Sequence, residues 1–218
     1  MMILHYLQYS RAFRILWALE ELQLTDYQIR FYKRQPNLAA PDELKFIHPL
    51  GKSPILQDGQ HVFAESAVIL EVLQQRYDTS YQFKPCPEDQ EQAYQYLYWM
   101  HYAEGSLMPL LVFQLVMSNM PAHMPLLIRP IAKRVCNGVK TGFLQPRLQD
   151  HVAYIEAYLA EHDYFAGDFS FADIQMSFPL QAMSKRIPLD IPNIRAFLAR
   201  IQQREAFQRA QEIDGHYQ

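Results

Sequence analysis

The chain has 218 residues, half of them hydrophobic and a fifth charged, with a formal net charge of −3. That is enough material for one large domain or two small ones around a buried core. It excludes a global basic field of the kind that attracts nucleic acid, and no run of Lys and Arg exceeds two residues.

The N-terminus enters an apolar-periodic pattern at once, with no basic region, long apolar stretch and small-residue cleavage site, so no signal peptide is expected. Residues 3–7 form a short β-rich run. Residues 12–22 place Phe13, Leu16, Trp17, Leu19 and Leu22 near helical period. Residues 27–32 alternate and predict a strand. Residues 41–48 predict a short helix opened by Pro41. Residues 53–57 predict a strand, Asp58-Gly59 a hairpin turn, and His61-Val62-Phe63 the return strand. Residues 66–77 predict an amphipathic helix. The order β-α-β-α-β-β-α puts the first two strands parallel and adds an antiparallel hairpin at the edge.

The character changes over residues 78–87, where Thr79, Ser80, Pro85 and Pro87 interrupt any period, and a linker is expected. Its Cys86 and the distant Cys136 form neither a metal pattern nor a redox pair, so two free thiols in a reducing cytosol are expected. Beyond the linker no strand is evident. Residues 88–117 predict one long helix with a kink at Pro109. Further helices are predicted at about 123–141, 144–161, 173–186 and 193–212. No window approaches ~18 uninterrupted apolar residues, so no membrane span is expected. The fold class expected is α/β plus all-α, divided as residues 1–80 and 88–218 with a linker at 81–87.

Four local patterns carry chemistry. Gly51-Lys52-Ser53-Pro54 opens a strand. A cis bond before Pro54 would turn the Ser53 N–H and carbonyl outward to pair with an extended peptide, while a trans turn proline would equally suit the position. Glu65-Ser66 opens a helix, where Ser66 serves as an N-cap and the unpaired first-turn N–H groups favour an anion such as a carboxylate. Tyr9-Ser10-Arg11 lies between the first strand and first helix. A thiolate there would feel both a hydroxyl and the helix N-terminus, while Arg11 and Arg14 could equally be surface charges. Ser170 and Asp173 are spaced as a capping box, a folding signal.

In order and across the whole chain, these pieces resemble the cytosolic glutathione transferase family. The matching segments are Ser10-Arg11-Ala12-Phe13-Arg14-Ile15-Leu16-Trp17, His48-Pro49-Leu50-Gly51-Lys52-Ser53-Pro54, Ala64-Glu65-Ser66, and Gly167-Asp168 with residues 170–174. His101-Tyr102-Ala103-Glu104-Gly105-Ser106-Leu107-Met108-Pro109 points to a fungal and bacterial branch. The resemblance implies a thioredoxin-like N-terminal domain followed by an α-helical C-terminal domain, a cis Pro54, and glutathione as substrate with no metal. Ser53 would pair with its cysteinyl part, Ser66 with Glu65 would hold the γ-glutamyl carboxylate, and Lys52 would approach the glycyl carboxylate.

The catalytic position falls at Tyr9 or Ser10, and Ser10 is the choice here; a Cys at this position is excluded, because the first cysteine is Cys86. A small hydrophobic electrophile would lie between the domains, with Tyr9, His101, Tyr102, Met108 and Phe113 as candidate contacts. The expected reaction is conjugation. Glutathione-dependent peroxide reduction and a non-catalytic binding or regulatory module are the alternatives. The family further implies a homodimer; charge and motifs lend no support to a nucleic-acid partner, and a cytoplasmic location is expected.

Overall fold

The computed structural model describes residues 1–35, 37, 39–186 and 190–217. Strand β1 (Met2–Leu7) runs parallel to β2 (Tyr27–Tyr32). Helix α1 (Ala12–Glu21) makes the crossover between them. Strand β3 (Ile55–Asp58) returns antiparallel to β1 and turns through Gly59 into β4 (His61–Ala64). Gly59 sits at φ +59°, the left-handed conformation that a two-residue hairpin needs and glycine adopts without strain. The sheet order is β2-β1-β3-β4, and helix α2 (Ser66–Tyr77) follows. This is the thioredoxin-like arrangement expected above. The segment expected to be a helix opened by Pro41 is a 3-10 turn, Asp42–Phe46.

Among the described residues, every regular element after α2 is a helix. Helix α3 (Gln90–Tyr102) passes through a wide π-helical turn (Ala103–Leu107) into α4 (Met108–Asn119). The kink expected at Pro109 is realised as that wide turn. An ordinary turn would press the proline ring against the carbonyl four residues back, and widening relieves the clash. The helical run Gln90–His123 totals 34 residues and is long and apolar enough, by length and composition alone, to cross a bilayer. Its Tyr96, Trp99, Ala103, Leu107 and Leu111 are buried in the protein core.

Helix α5 (Arg129–Val139) starts later than expected, since Pro125 and Pro130 delay it. A second wide turn (Lys140–Leu144) leads into α6 (Gln145–Glu161), and α7 (Phe171–Arg186) follows. The single helix expected over 193–212 is two, α8 (Pro192–Gln202) and α9 (Glu205–Gly215). The break occurs because Arg204 takes an extended conformation. It pairs with Glu21 at 2.6 and 2.9 Å and lies 3.5 Å from the Phe169 ring centroid.

The main hydrophobic core runs from the sheet into the helices, and a small separate cluster of Leu7, Tyr32, Leu44 and Ile55 lies beside the sheet. Leu4, Leu56, Trp17, Ile69 and Leu73 join Trp99, Phe165, Phe171 and Phe197 in the main core. Helix α1 is buried nearly all round, as a helix between two layers must be. The chain between α2 and α3 is held at both ends. Asp78 accepts the Gln82 and Phe83 N–H groups, and the Phe83 carbonyl accepts the Phe171 N–H. Both cysteines are free.

His5 on β1 is 1% exposed, with Nδ1 at 2.9 Å from the Tyr32 hydroxyl and Nε2 at 3.4 Å from Gln57. Burial holds its pKa below the usual value, the Gln57 contact opposes this, and Arg30 adds to the lowering. The native state therefore takes up a proton later than the unfolded chain does. Its stability is expected to fall as pH drops below about 6.5. Urea midpoints measured from neutral to acid pH should show this fall, shallower in His5→Gln; an equal slope in both would assign it to other groups.

Candidate active site

The loop after β1 places Tyr9 at φ +51°, which turns the chain sharply into α1. Ser10 is buried beneath this turn. Its Oγ accepts the Ala12 N–H at 3.1 Å, one residue ahead of the Arg11 N-cap, and so satisfies the first N–H of α1. The same Oγ lies 3.3 Å from the Ser53 Oγ. Ser53 donates its own proton to the His5 carbonyl and accepts the Leu7 N–H. Ser10 is therefore the donor in the hydroxyl pair, and its proton is directed at Ser53.

The Ser53–Pro54 bond is cis. Gly51, at φ +55°, makes the turn before it. A Cβ there would stand 2.7 Å from the Lys45 side chain, so glycine is required for space as well as for conformation. Across the cavity, Glu65 occupies φ +70° and Ser66 is the first residue of α2. The N-cap expected of Ser66 is thus displaced by one position. No side chain caps α2, which leaves its first-turn N–H groups free to receive an anion. The Ser66 hydroxyl instead accepts a 2.9 Å hydrogen bond from Arg14.

Arg14 corrects one alternative left open by the sequence. It is no surface charge but is 1% exposed, donating also to the Gln175 carbonyl at 2.8 Å and to Glu104 at 2.7 Å. Arg11 grips the same Glu104 carboxylate through two bonds of 2.9 and 3.1 Å. Burial pushes the Glu104 carboxyl up, but the two arginines outweigh it and hold it below the ordinary range. Glu104 lies in the wide turn between α3 and α4, so this network joins the sheet half, α2 and the helical half at one point.

Lys52, Ser53, Pro54, Glu65 and Ser66 line one cavity of about 270 Å³, together with Arg11, His48, Leu50, Ala64 and Glu104. Ser10 stands behind its wall. Arg11 and Glu104 also line a second, apolar groove of about 420 Å³ formed by Met108, Pro109, Val112, Phe113 and Val116. Two of the expected electrophile contacts, Met108 and Phe113, are thus in the groove. Three are elsewhere. Tyr102 is buried against α6, its hydroxyl bonded to His151 and its ring among Tyr98, Trp99 and Tyr154. His101 is exposed and lines neither space. Tyr9 points to solvent at 65% exposure. Among the described residues, no group of three His, Cys, Asp or Glu side chains is placed to hold a metal ion.

The family model described as "Glutathione S-transferase, N-terminal domain" matches residues 1–75. Glutathione S-transferase 3 of Schizosaccharomyces pombe is 38% identical over 215 residues, covering 97% of this chain and 87% of the relative. The chain belongs to the glutathione S-transferase family. A solved glutathione S-transferase of Actinobacillus pleuropneumoniae superposes with a TM-score of 0.79 at 30% identity, over 99% of this chain and 93% of that one. The glutathione transferase URE2P8 of Phanerochaete chrysosporium, solved with oxidized glutathione, superposes at 0.73 and 17% identity over 99% and 95% of the two chains. In this glutathione S-transferase the loop before β3 and the start of α2 bring Lys52, Ser53, Pro54, Glu65 and Ser66 to one cavity. Arg14 and Glu104 were quoted in the motifs but given no role there. Their partners lie 52 to 161 residues away, so only the fold reveals them.

Proposed function

We propose that the protein binds glutathione in the cavity of Lys52, Ser53, Pro54, Glu65 and Ser66 and joins it through its sulfur to small hydrophobic electrophiles held in the adjoining groove. The observation that carries this reading is the shared wall. Arg11 and Glu104 border both the polar cavity and the apolar groove, so a thiol in one lies beside an electrophile in the other. The γ-glutamyl end carries both a carboxylate and an ammonium. The Ser66 hydroxyl with the α2 N-terminus suits the first, and the exposed Glu65 carboxylate suits the second. Ser53 pairs through its backbone with the cysteinyl unit, and Lys52 at the rim meets the glycyl carboxylate.

An ordinary thiol ionises near about 8.5, so only a few per cent is thiolate at neutral pH. The α1 N-terminus and the Ser10 hydroxyl favour the ionised sulfur, provided that Ser10 turns its proton from Ser53 to the ligand. The thiol proton leaves to solvent. The sulfur lone pair then forms the carbon–sulfur bond as the leaving group departs with its electron pair. Val68 on α2 with Tyr94 and Leu97 on α3 supply an exposed apolar face for the homodimer that the family implies.

The test is a glutathione titration that follows thiolate absorbance against pH. The expected result is saturable binding with the thiol pKa lowered by ~2 units, and return to within about one unit of the free value in Ser10→Ala. Binding without any shift would reduce the protein to a glutathione-binding relative, and no binding at all would overturn the reading.

A further inference from the structure

Residues 105–149 hold five of the chain's 20 cations and none of its 23 carboxylates. The five are Arg129, Lys133, Arg134, Lys140 and Arg147, on α5, the wide turn after it and the start of α6. Among the described residues none of them enters an ion pair. Arg129 and Arg147 bond only to backbone carbonyls. This is a concentrated positive field on a chain of net negative charge.

The same segment also exposes aliphatic side chains. The turn entering α5 exposes Leu126, Leu127 and Ile128, and α5 itself exposes Ile131 and Val135. Leu127 is 93% exposed and Ile131 66%. Ile131 and Val135 stand four residues apart and share one side of α5, and Leu127 precedes them by four in the turn that enters the helix. Cys136, Leu144 and Leu148 point the other way, into the core. Single exposed leucines need no explanation, but five aliphatic side chains in one patch do. The patch borders the apolar groove, since Phe143 beyond α5 contacts Phe113 of the groove wall at 6.1 Å between ring centroids.

We infer that this face docks on the surface of an anionic phospholipid bilayer. Aliphatic side chains on a segment that carries five cations outside any ion pair, and no carboxylate between Gly105 and Gln149, match an interface that offers an apolar interior under a negatively charged headgroup layer. The helix lies in the interface plane and does not span it. Two other occupants fit less well. A second copy meeting this face with its own would bring five cations against five. A nucleic acid strand would use the cations but finds aliphatic side chains where it needs aromatic stacking. Docking would turn the mouth of the groove toward the bilayer, where hydrophobic electrophiles dissolve. That last consequence rests on the proposed transferase function, whereas the docking itself does not.

The experiment is flotation of the purified protein with phosphatidylcholine vesicles, with and without about 30% phosphatidylserine. The protein is expected to float with the anionic vesicles, to remain behind with the neutral ones, and to be released by salt. Lys133→Glu with Arg134→Glu should lower partitioning at least about 25-fold, from roughly fivefold per cation. Leu127→Ser with Ile131→Ser should abolish flotation. Both pairs are surface changes and should leave the melting curve and glutathione binding unchanged. No flotation with either vesicle would overturn the inference. So would flotation that ignores the charge pair, a sedimentation shift to a smaller species in the Leu127/Ile131 variant, or capture by a single-stranded oligonucleotide in preference to vesicles.

Discussion

Arg14→Leu is expected to remove about 3–5 kcal/mol of folding stability and to weaken glutathione binding about five- to tenfold. Leucine replaces the apolar stem of the side chain but none of its donors. The Gln175 carbonyl and the Ser66 hydroxyl lose their partner, and Glu104 keeps only Arg11. An exposed pair would be worth little. This guanidinium is buried, and although burial pulls its pKa down to about 10 against the opposing pull of Glu104, it remains charged at neutral pH. Loss of one member of a buried pair strands the groups that faced it. The effect on binding has a separate origin, because the Ser66 hydroxyl is no longer aimed. Urea unfolding measures the first effect, and a glutathione titration at a temperature where the variant is folded measures the second. A stability change below about 1 kcal/mol would mean that the network behaves as a surface pair.

Asp173→Ala should be comparably severe and leave the site's chemistry untouched, with a loss of about 3–5 kcal/mol. The carboxylate has no solvent exposure and ties three donors together: the Phe165 and Ser170 N–H groups at 2.9 and 2.8 Å and the Ser170 hydroxyl at 3.2 Å. Alanine leaves two buried N–H groups without an acceptor beside the packed rings of Phe165 and Phe197. Burial pushes the Asp173 carboxyl up to about 7, while the donors from Phe165 and Ser170 pull it down. The native state therefore keeps its proton in a range where the unfolded chain, near 3.8, has released it. Stability from this group is complete below the unfolded value and declines as pH rises toward about 7. Relative to Asp173→Asn, which cannot titrate, the parent should lose ground from acid to neutral pH and then level off. A parent that gains ground over that range would show that the donors prevail and the carboxylate is ionised throughout.

The capping-box spacing around Asp173 was legible in the sequence because its partners are local. Ser170 N–H does bond to Asp173, although the Ser170 hydroxyl accepts from Ala172 where the motif would use the N–H of residue 173. The strand at Tyr27–Tyr32 and the helix at Ser66–Tyr77 fall where periodicity places them. Long-range effects were out of reach. Arg14 in a helix start suggests a solvated charge until Glu104 arrives 90 residues later. The break between α8 and α9 has no glycine or proline to mark it, since it is made by Arg204 reaching back to Glu21. Tyr102 belongs to a motif that suggests a substrate contact, yet an aromatic cluster and His151 claim it for the interior.

The two wide turns have a consequence for how the chain changes length. A wide turn holds one residue more than the helix around it requires, so it is the trace of a single insertion absorbed without turning the flanking faces. A deletion within α4 itself would rotate everything beyond it by about 100°, carrying Val116 off the groove. Deletion inside the wide turn spares the facing but restores an ordinary turn against a proline ring. Pro109 follows the first wide turn as the second residue of α4, and Pro146 follows the second as the second residue of α6. Each proline acts as a ratchet on its own insertion: a descendant can shorten the helix there only by losing the proline in the same step, so helix length and proline identity should be inherited together.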